Sequence, residues 1–191
     1  MRLSIAAILT TSIIHPVALA ALTVNDVVTN IGIVTNVSVK INNVLTPLST
    51  STTDPDVVSL GQFTVIINNL SADITAMQAT PPFTVQADCD AIVIALDSFV
   101  EVHQALLATV ISKHAIFAQF AVTAPIAAVL RTLEVIIDSF AFAMIDLIPC
   151  GAGSVTNDKN GLDITVENSI TLYTEVCVPS PLYPTVLPIC I

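Results

Sequence analysis

The sequence predicts an all-α protein, a bundle of about five amphipathic helices followed by a disulfide-closed C-terminal tail. Apolar side chains recur every three or four residues along most of the chain, which is the spacing of one helix face. Proline-containing segments interrupt this spacing and divide the chain into separate helices. Hydrophobic residues make up 54% of the 191 residues and charged residues only 10%, so the chain can bury a large core and is not disordered.

The first twenty residues have the features of a secretory signal peptide. Arg2 supplies a positive start, an apolar stretch follows, and Ala18–Ala20 has the small-x-small pattern of a cleavage site. The alternative is an N-terminal helix buried in the fold. We expect secretion to the extracellular space or cell wall, with a signal peptide at 1–20, the helical domain at 21–176 and a Pro-rich, Cys-closed tail at 177–191.

The first two helices are predicted from Val24 to Leu48 and from Asp54 to about Gln78. Their apolar residues fall at steps of three and four, and the many Val and Ile lack the strict alternation of a strand. Asp54 is a good N-cap and Pro55 suits the first helical position, so this pair marks the second start.

The third helix is predicted to start near Thr84 and to continue through Phe117, and the fourth to run from about Pro125 to Ile148. The stretch His114–Leu130 contains no formally charged side chain and would suggest a membrane span if it were one helix. Pro125 divides it, and neither half reaches the roughly 20 apolar residues that a span needs. We therefore expect a helical hairpin and no transmembrane span.

A shorter fifth helix is predicted from about Leu162 to Val176. The segment 156–161, with the sequence TNDKNG, has the composition of a polar turn. The glycines of 151–154 are typical of a helix stop, and a phosphate-binding loop is the weaker interpretation because no strand precedes them. The tail contains four prolines and is not expected to be helical.

Four cysteines in a secreted chain predict two disulfides. Cys89 and Cys150 lie almost equally far along the chain from Phe120, the centre of the predicted hairpin, so antiparallel helices would bring them level. This geometry predicts the pair Cys89–Cys150 and leaves Cys177–Cys190 to close the tail.

The formal net charge of −10 argues against binding to nucleic acid and to anionic lipid head groups. Any lipid would therefore be held by apolar contact. The sequons at Asn36 and Asn69 predict N-linked glycans.

Few side chains in this sequence could perform catalysis. Only His103 and His114 lie outside the predicted signal peptide, and no Gly-x-Ser-x-Gly motif occurs. Asp88 and Asp90 flank a cysteine, but two acids near a helix start are more simply interpreted as partners of the helix dipole than as metal ligands. We expect no enzymatic activity, no cofactor and no metal.

The apolar stripes of helices two to four are wider than a narrow packing seam requires. Such a bundle encloses a cavity, exposes an apolar patch or associates with another molecule. If the bundle encloses a cavity, we expect side chains of the third and fourth helices to line it and to contact the lipid. The alternative role of these side chains is ordinary core packing. The candidates are Phe99, His103, Phe117, Phe140 and Met144.

The third and fourth helices carry a recurring pattern, a Lys followed four residues later by Phe, a short turn, and then Leu-x-x-Leu with a closing apolar stretch. This pattern resembles the fungal hydrophobic-surface-binding protein A family, which includes antigenic cell-wall galactomannoproteins. The resemblance covers roughly 24–149. Its carriers are Leu107, Lys113, Phe117, Leu130, Leu133, Ile137 and Leu147, with Tyr173 fitting more loosely.

The resemblance implies a secreted helical bundle that binds hydrophobic surfaces or lipids without catalysis, with a fatty acid in a central cavity in some relatives. A buried His103 could then contact the carboxylate. The alternative is a structural cell-wall mannoprotein that associates with wall polysaccharide, or a secreted effector that contacts a host protein. The cysteines and the strongly apolar composition depart from the family pattern.

Overall fold

The structure is a computed structural model that describes residues 21–52 and 58–191, with side chains of the second range from 61. The predicted signal peptide and the Asp54-Pro55 helix start lie outside these residues. Six α-helices, a 3₁₀ turn and two short strands follow one another. They are α1 Val24–Leu45, α2 Val58–Gln78, α3 Gln86–Ser112, α4 His114–Gln119, α5 Thr123–Leu147, the 3₁₀ turn Pro149–Gly151, α6 Ala152–Tyr173, β1 Cys177–Val178 and β2 Ile189–Cys190.

The five long helices form a closed ring. Each packs mainly against two others, in the cyclic order α1, α3, α6, α5, α2 and back to α1. The apolar stripe of every helix faces the middle of this ring, where the buried residues form one continuous core. The predicted all-α bundle is therefore confirmed.

The start of α1 is fixed by a capping box that joins Thr23 and Asp26. The amide of Asp26 donates to the Thr23 hydroxyl at 3.2 Å, and the Thr23 amide donates to the Asp26 carboxylate at 2.8 Å. The Thr23 hydroxyl also donates to the Asp26 carboxylate at 2.7 Å, and this bond and the one from the Thr23 amide lower the pKa of Asp26. The helix ends at Leu45, one turn before the predicted Leu48.

The prediction of one continuous third helix through Phe117 is wrong, because the helix breaks at Lys113. The backbone of Lys113 leaves the helical region with φ −97° and ψ 3°. Its ammonium group donates to the carbonyls of Thr46 at 2.9 Å and Leu48 at 2.8 Å, which follow the end of α1. Lys113 thus satisfies carbonyls that a helix C-terminus leaves without partners, and Phe117 falls in the separate α4.

The predicted bend between the third and fourth helices is present. Ala121 has a positive φ of 56°, and α5 begins at Thr123. Pro125 lies in the first turn of α5, where its missing N–H costs nothing.

The prediction of a polar turn at 156–161 is wrong, because these residues belong to α6. This helix begins at Ala152 and ends at Tyr173, whereas the sequence predicted Leu162 to Val176. Its buried residues follow helical spacing through the polar segment, so tertiary packing outweighs the local turn preference. They are Val155, Leu162, Val166, Ser169 and Tyr173.

Both predicted disulfides are present. Cys89–Cys150 joins the first turn of α3 to the 3₁₀ turn after α5, and Cys177–Cys190 joins β1 to β2. The two strands pair antiparallel, with Cys177 opposite Cys190. The C-terminal tail is therefore a closed loop, as the sequence predicted.

Candidate ligand-binding site in the bundle core

His103 is a fully buried polar side chain at the centre of α3. Its Nδ1 lies 2.9 Å from the hydroxyl oxygen of Ser38 on α1, and that hydroxyl also lies 3.2 Å from the carbonyl of Val34. The other ring nitrogen, Nε2, has no hydrogen-bond partner among the residues that the structure describes. Burial lowers the pKa of His103 to about 4, so the ring is neutral at pH 7.

An unpartnered Nε2 is costly whichever tautomer the ring adopts. If Ser38 donates to Nδ1, Nε2 carries an N–H without an acceptor, and if Nδ1 donates to Ser38, Nε2 is an acceptor without a donor. In either tautomer, the buried atom loses its hydrogen bonds to water and forms none with the protein, which costs free energy. Such an atom in a core is a candidate contact for a polar ligand group.

Three of the predicted lining residues form a row that begins beside the His103 ring. The Phe99 ring centroid lies 4.9 Å from that of His103, and the Phe140 centroid lies 6.3 Å from that of Phe99. Met144 lies one helical turn beyond Phe140 on α5 and is fully buried. The structure therefore brings Phe99, His103, Phe140 and Met144 into one region of the core.

Two small apolar voids lie on opposite sides of Phe140. The first, of about 10 Å³, lies between α1, α2 and α5, and the second, of about 20 Å³, lies between α3, α5 and α6. Met144 lines the first void and Phe99 lines the second. Of the described residues, Phe140 is the one that lines both voids.

These voids are too small to hold a lipid as the structure stands. A volume of 10–15 Å³ accommodates about one water molecule, whereas ligand pockets have about 300 Å³ or more. The core is therefore closed, and any acyl chain must displace the side chains that fill it.

Charged groups lie at the outer edge of each void. Asp73 on α2 lines the first, and burial raises its pKa to about 6. Asp158 on α6 lines the second, and burial together with the nearby Asp97 carboxylate raises its pKa to about 6. Lys159 lies beside Asp158, with its ammonium 2.7 Å from the Asp138 carboxylate.

Phe117, the remaining predicted lining residue, lies at the other end of the bundle. It is buried, with its ring centroid 6.3 Å from that of Tyr173, and the His114 ring contacts Tyr173 edge-on at 4.9 Å. The Tyr173 hydroxyl donates to the carbonyl of Val110 at 2.7 Å. This second aromatic cluster is apart from the His103 region.

Within the described residues, one group has donor atoms close enough to hold a metal ion. The donor atoms of His114, Glu175, Cys177 and Cys190 all lie within 4.8 Å of one another. Both sulfur atoms are bonded to each other in the tail disulfide, so neither is a thiolate that could bind a metal.

The predicted glycan acceptors both lie on helices. Asn36 is exposed on α1, and Asn69 is half-buried on α2. The sequence analysis missed Ser38, which occupies a position in the apolar stripe of α1 between Val34 and Ile41. A serine in such a stripe is a readable signal, because a buried hydroxyl needs a partner.

By length and hydropathy, α3 is the one unbroken helix in the described ranges that could cross a membrane. α5 and the segment Pro149–Tyr173 meet the same criterion only as a pair bent by 112°. The central helix of a bundle has the same character, and α3 buries residues from Cys89 to Val110 against its neighbours. We therefore assign α3 to the core.

No protein-family model matches the chain, and no curated protein sequence matches it significantly. Solved structures do match. AfMp4p in complex with palmitic acid superimposes with a TM-score of 0.74 at 11% identity, over 80% of this chain and 100% of that one. Ligand-binding domain 1 of the Penicillium marneffei MP1 protein, complexed with arachidonic acids, gives a TM-score of 0.69 at 13% identity, over 78% and 95%.

Ligand-binding domain 2 of the same MP1 protein, complexed with multiple arachidonic acids, gives a TM-score of 0.67 at 15% identity, over 78% of this chain and 93% of that one. These likenesses establish the fold. The five-helix ring is therefore an arrangement that this chain shares with fungal lipid-binding proteins, at an identity too low to carry residue roles across.

Proposed function

We propose that this protein binds a long-chain fatty acid inside the five-helix ring and performs no catalysis. The observation that carries the proposal is the unpartnered Nε2 of His103, buried beside Phe99 in a mostly apolar core. A carboxyl group satisfies this nitrogen in either tautomer, since a carboxylate accepts from an N–H and a carboxylic acid donates to a bare nitrogen.

The acyl chain would occupy the region on both sides of Phe140. The two voids already mark gaps between α5 and its neighbours, and their walls are almost wholly apolar. Rotation of Phe140 and Met144 would join the gaps into one elongated channel. Met144 suits this role because its unbranched side chain adapts to irregular spaces.

The fold likeness supports this assignment, because the AfMp4p and MP1 domain structures hold palmitic and arachidonic acids. It is also consistent with the resemblance to the hydrophobic-surface-binding family, and we propose that this chain is a secreted relative of that family. The two disulfides are typical of proteins that fold in an oxidising compartment. We expect the signal peptide and the glycans at Asn36 and Asn69 to accompany this secretion.

The direct experiment is mass spectrometry of a chloroform extract from the purified secreted protein, followed by uptake of added palmitic acid. We expect close to one fatty acid for each chain. Native mass spectrometry of the intact protein gives the same stoichiometry independently. An empty extract from a protein that also takes up no added acid would reject the core site and leave a cell-wall or effector role.

A further inference from the structure

The tail from Val176 to Ile191 is the most apolar exposed segment of the described chain. It contains no charged side chain. Six of its large apolar side chains have exposed fractions between 49% and 87%. They are Val176, Val178, Leu182, Leu187, Ile189 and Ile191. We define these six side chains as the tail patch. An apolar patch of this kind marks a surface that contacts another apolar phase or molecule.

The tail is hydrogen-bonded within itself and to α4. The amide of Val176 donates to the carbonyl of Ile191 at 2.9 Å, and the return bond measures 3.1 Å. The side chain of Gln119 pairs with the backbone of Ser180 in both directions, at 3.1 Å and 2.8 Å. With the Cys177–Cys190 disulfide, these bonds keep the apolar side chains outside, so the tail patch is not a loose end that could fold back.

We propose that the tail patch inserts into electrically neutral lipid bilayers and docks the protein on them. Four of the sixteen tail residues are prolines, which have no N–H group to leave unpaired when the loop enters an apolar layer. Two paired strands satisfy further backbone groups. The desolvation penalty of the loop is thereby reduced, while the exposed Leu, Ile and Val side chains gain by leaving water.

The net charge of the chain indicates which kind of membrane the tail patch would contact. The chain has a formal net charge of −10, and Glu175 adjoins the tail, so an anionic membrane would repel the protein. A second copy of this chain would meet the same repulsion. A zwitterionic bilayer, such as one of phosphatidylcholine, opposes neither the charge nor the apolar contact. This inference is independent of the fatty-acid site, since docking needs no ligand in the core.

The chain contains no tryptophan, so single Trp substitutions report one position each. Leu182 in the tail is 64% exposed and Val135 on α5 is 65% exposed, which makes them a matched pair. With palmitoyl-oleoyl phosphatidylcholine vesicles, we expect the emission of Leu182→Trp to shift to shorter wavelength and to be quenched by brominated phosphatidylcholine. Emission from Val135→Trp should not change. Equal responses, or no response at position 182, would overturn the proposal.

Vesicle flotation of the full chain tests the same contact without a reporter. The double variant Leu182→Ser with Ile189→Ser should reduce the ratio of bound to free protein by at least about tenfold. The control pairs Val135→Ser with Ile94→Ser, whose exposures of 65% and 69% match those of the tail residues, and it should bind as wild type does. Equal losses in the two variants would overturn the proposal. The Trp variants remain decisive if the serine variant does not fold.

Two further measurements separate the remaining explanations. Replacing a third of the lipid with phosphatidylglycerol should weaken docking at low salt, and stronger docking would overturn the choice of a neutral surface. Light scattering should show the same mass for wild type and tail variant, whereas a wild-type dimer that ignores vesicles would assign the tail patch to self-association. Palmitate uptake by the tail variant, measured without vesicles, reports the core site separately.

Discussion

His103 and Ser38 form a fully buried polar pair inside a core that is mostly apolar. Hydrogen bonding at Nδ1 satisfies one ring nitrogen and leaves Nε2 without a partner. A side chain that served packing alone would be better replaced by a hydrocarbon of similar size, since burying an unmet polar group costs about 1–3 kcal/mol. The proposed contact with a carboxyl group would give this buried nitrogen the partner that packing alone does not supply.

Substitution of His103 by Leu is expected to weaken fatty-acid binding by about tenfold to a hundredfold, because the carboxyl group loses its buried partner. The fold should persist. Isothermal titration with palmitic acid measures the loss, and His114→Leu, at the buried histidine of the other aromatic cluster, is the control. Unchanged palmitate affinity in His103→Leu would make His103 a core residue only.

His103 also makes stability depend on pH. Its pKa is about 4 in the folded state, below the ordinary value of 6.5. The unfolded chain therefore binds the proton more tightly, and this contribution to stability is complete above pH 6.5 and is lost as pH falls towards 4. Thermal unfolding of His103→Leu should lack that loss between pH 6.5 and 4, while wild type retains it.

Asp158 has the opposite dependence, because its pKa is raised to about 6 from 3.8. The folded state binds the proton more tightly than the unfolded state does, so stability is lost as pH rises from 3.8 through 6. At pH values above 6, Asp158→Asn should raise the thermal unfolding midpoint by a few degrees, which corresponds to a gain of about 1 kcal/mol in the free energy of unfolding after solvent screening. At pH values below 4 it should have no effect. Asp146→Asn, at an exposed carboxylate on α5, is the control for loss of charge.

At the scale of single elements, the helices end where side chains from other elements satisfy their backbone groups. Lys113 shows this most clearly, because its ammonium group caps the end of α1 and its own backbone breaks the third helix. No sequence pattern marks this break, since Lys113 lies inside an unbroken apolar pattern. α6 shows the reverse case, in which a polar segment becomes helical because Val155 and Leu162 on either side are buried.

Two glycines provide a paired test of element geometry. A Cβ on Gly32 in α1 would meet nothing within 4 Å, whereas one on Gly151 in the 3₁₀ turn would lie 2.9 Å from Val93 and 3.0 Å from Ile148. Gly32→Ala should stabilise the protein by about 0.5–1 kcal/mol, because alanine favours a helix. Gly151→Ala should destabilise it by about 1–3 kcal/mol through overpacking beside the Cys89–Cys150 disulfide. Chemical denaturation measures both, and equal effects would contradict this packing.

At the scale of the whole molecule, the ring of five helices is closed, and this would limit how the proposed fatty acid enters. The two voids beside Phe140 together hold only a few water molecules, so acyl-chain binding requires the helices to separate. We expect palmitate uptake to be slow relative to diffusion and to speed up on warming, because opening precedes binding. Stopped-flow uptake of a fluorescent fatty acid measures this rate.

Phe140→Ala tests the same opening. It should enlarge the void between the helices, accelerate uptake, and lower the free energy of unfolding by about 3–5 kcal/mol. Phe117→Ala, in the aromatic cluster at the other end, should cost similar stability without changing the uptake rate. Uptake accelerated equally by both variants would indicate general loosening of the bundle in place of a local gate.

Much of the candidate site was readable from the sequence. Helical spacing placed Phe99, His103, Phe140 and Met144 on the inner faces of α3 and α5, and the structure brings these four side chains together although the two helices are not neighbours in the ring. Phe117 follows the same spacing but lies elsewhere, because the break at Lys113 turns α4 away from α3. Periodicity specifies which side of a helix faces inward, and it does not specify how far along the bundle two inward residues lie from each other.

The sequence by itself determined the fold class, the bend between α3 and α5, both disulfides and the absence of charge in the tail, because each depends on local spacing or composition. The predicted hairpin is wrong, because α3 and α5 do not pack as neighbours and α6 lies between them in the ring. Only the tertiary structure decided the break at Lys113, the full length of α6, the Ser38–His103 hydrogen bond and the closed state of the core. These depend on contacts between residues distant in the chain, where packing free energy exceeds the small local preferences that a sequence pattern records.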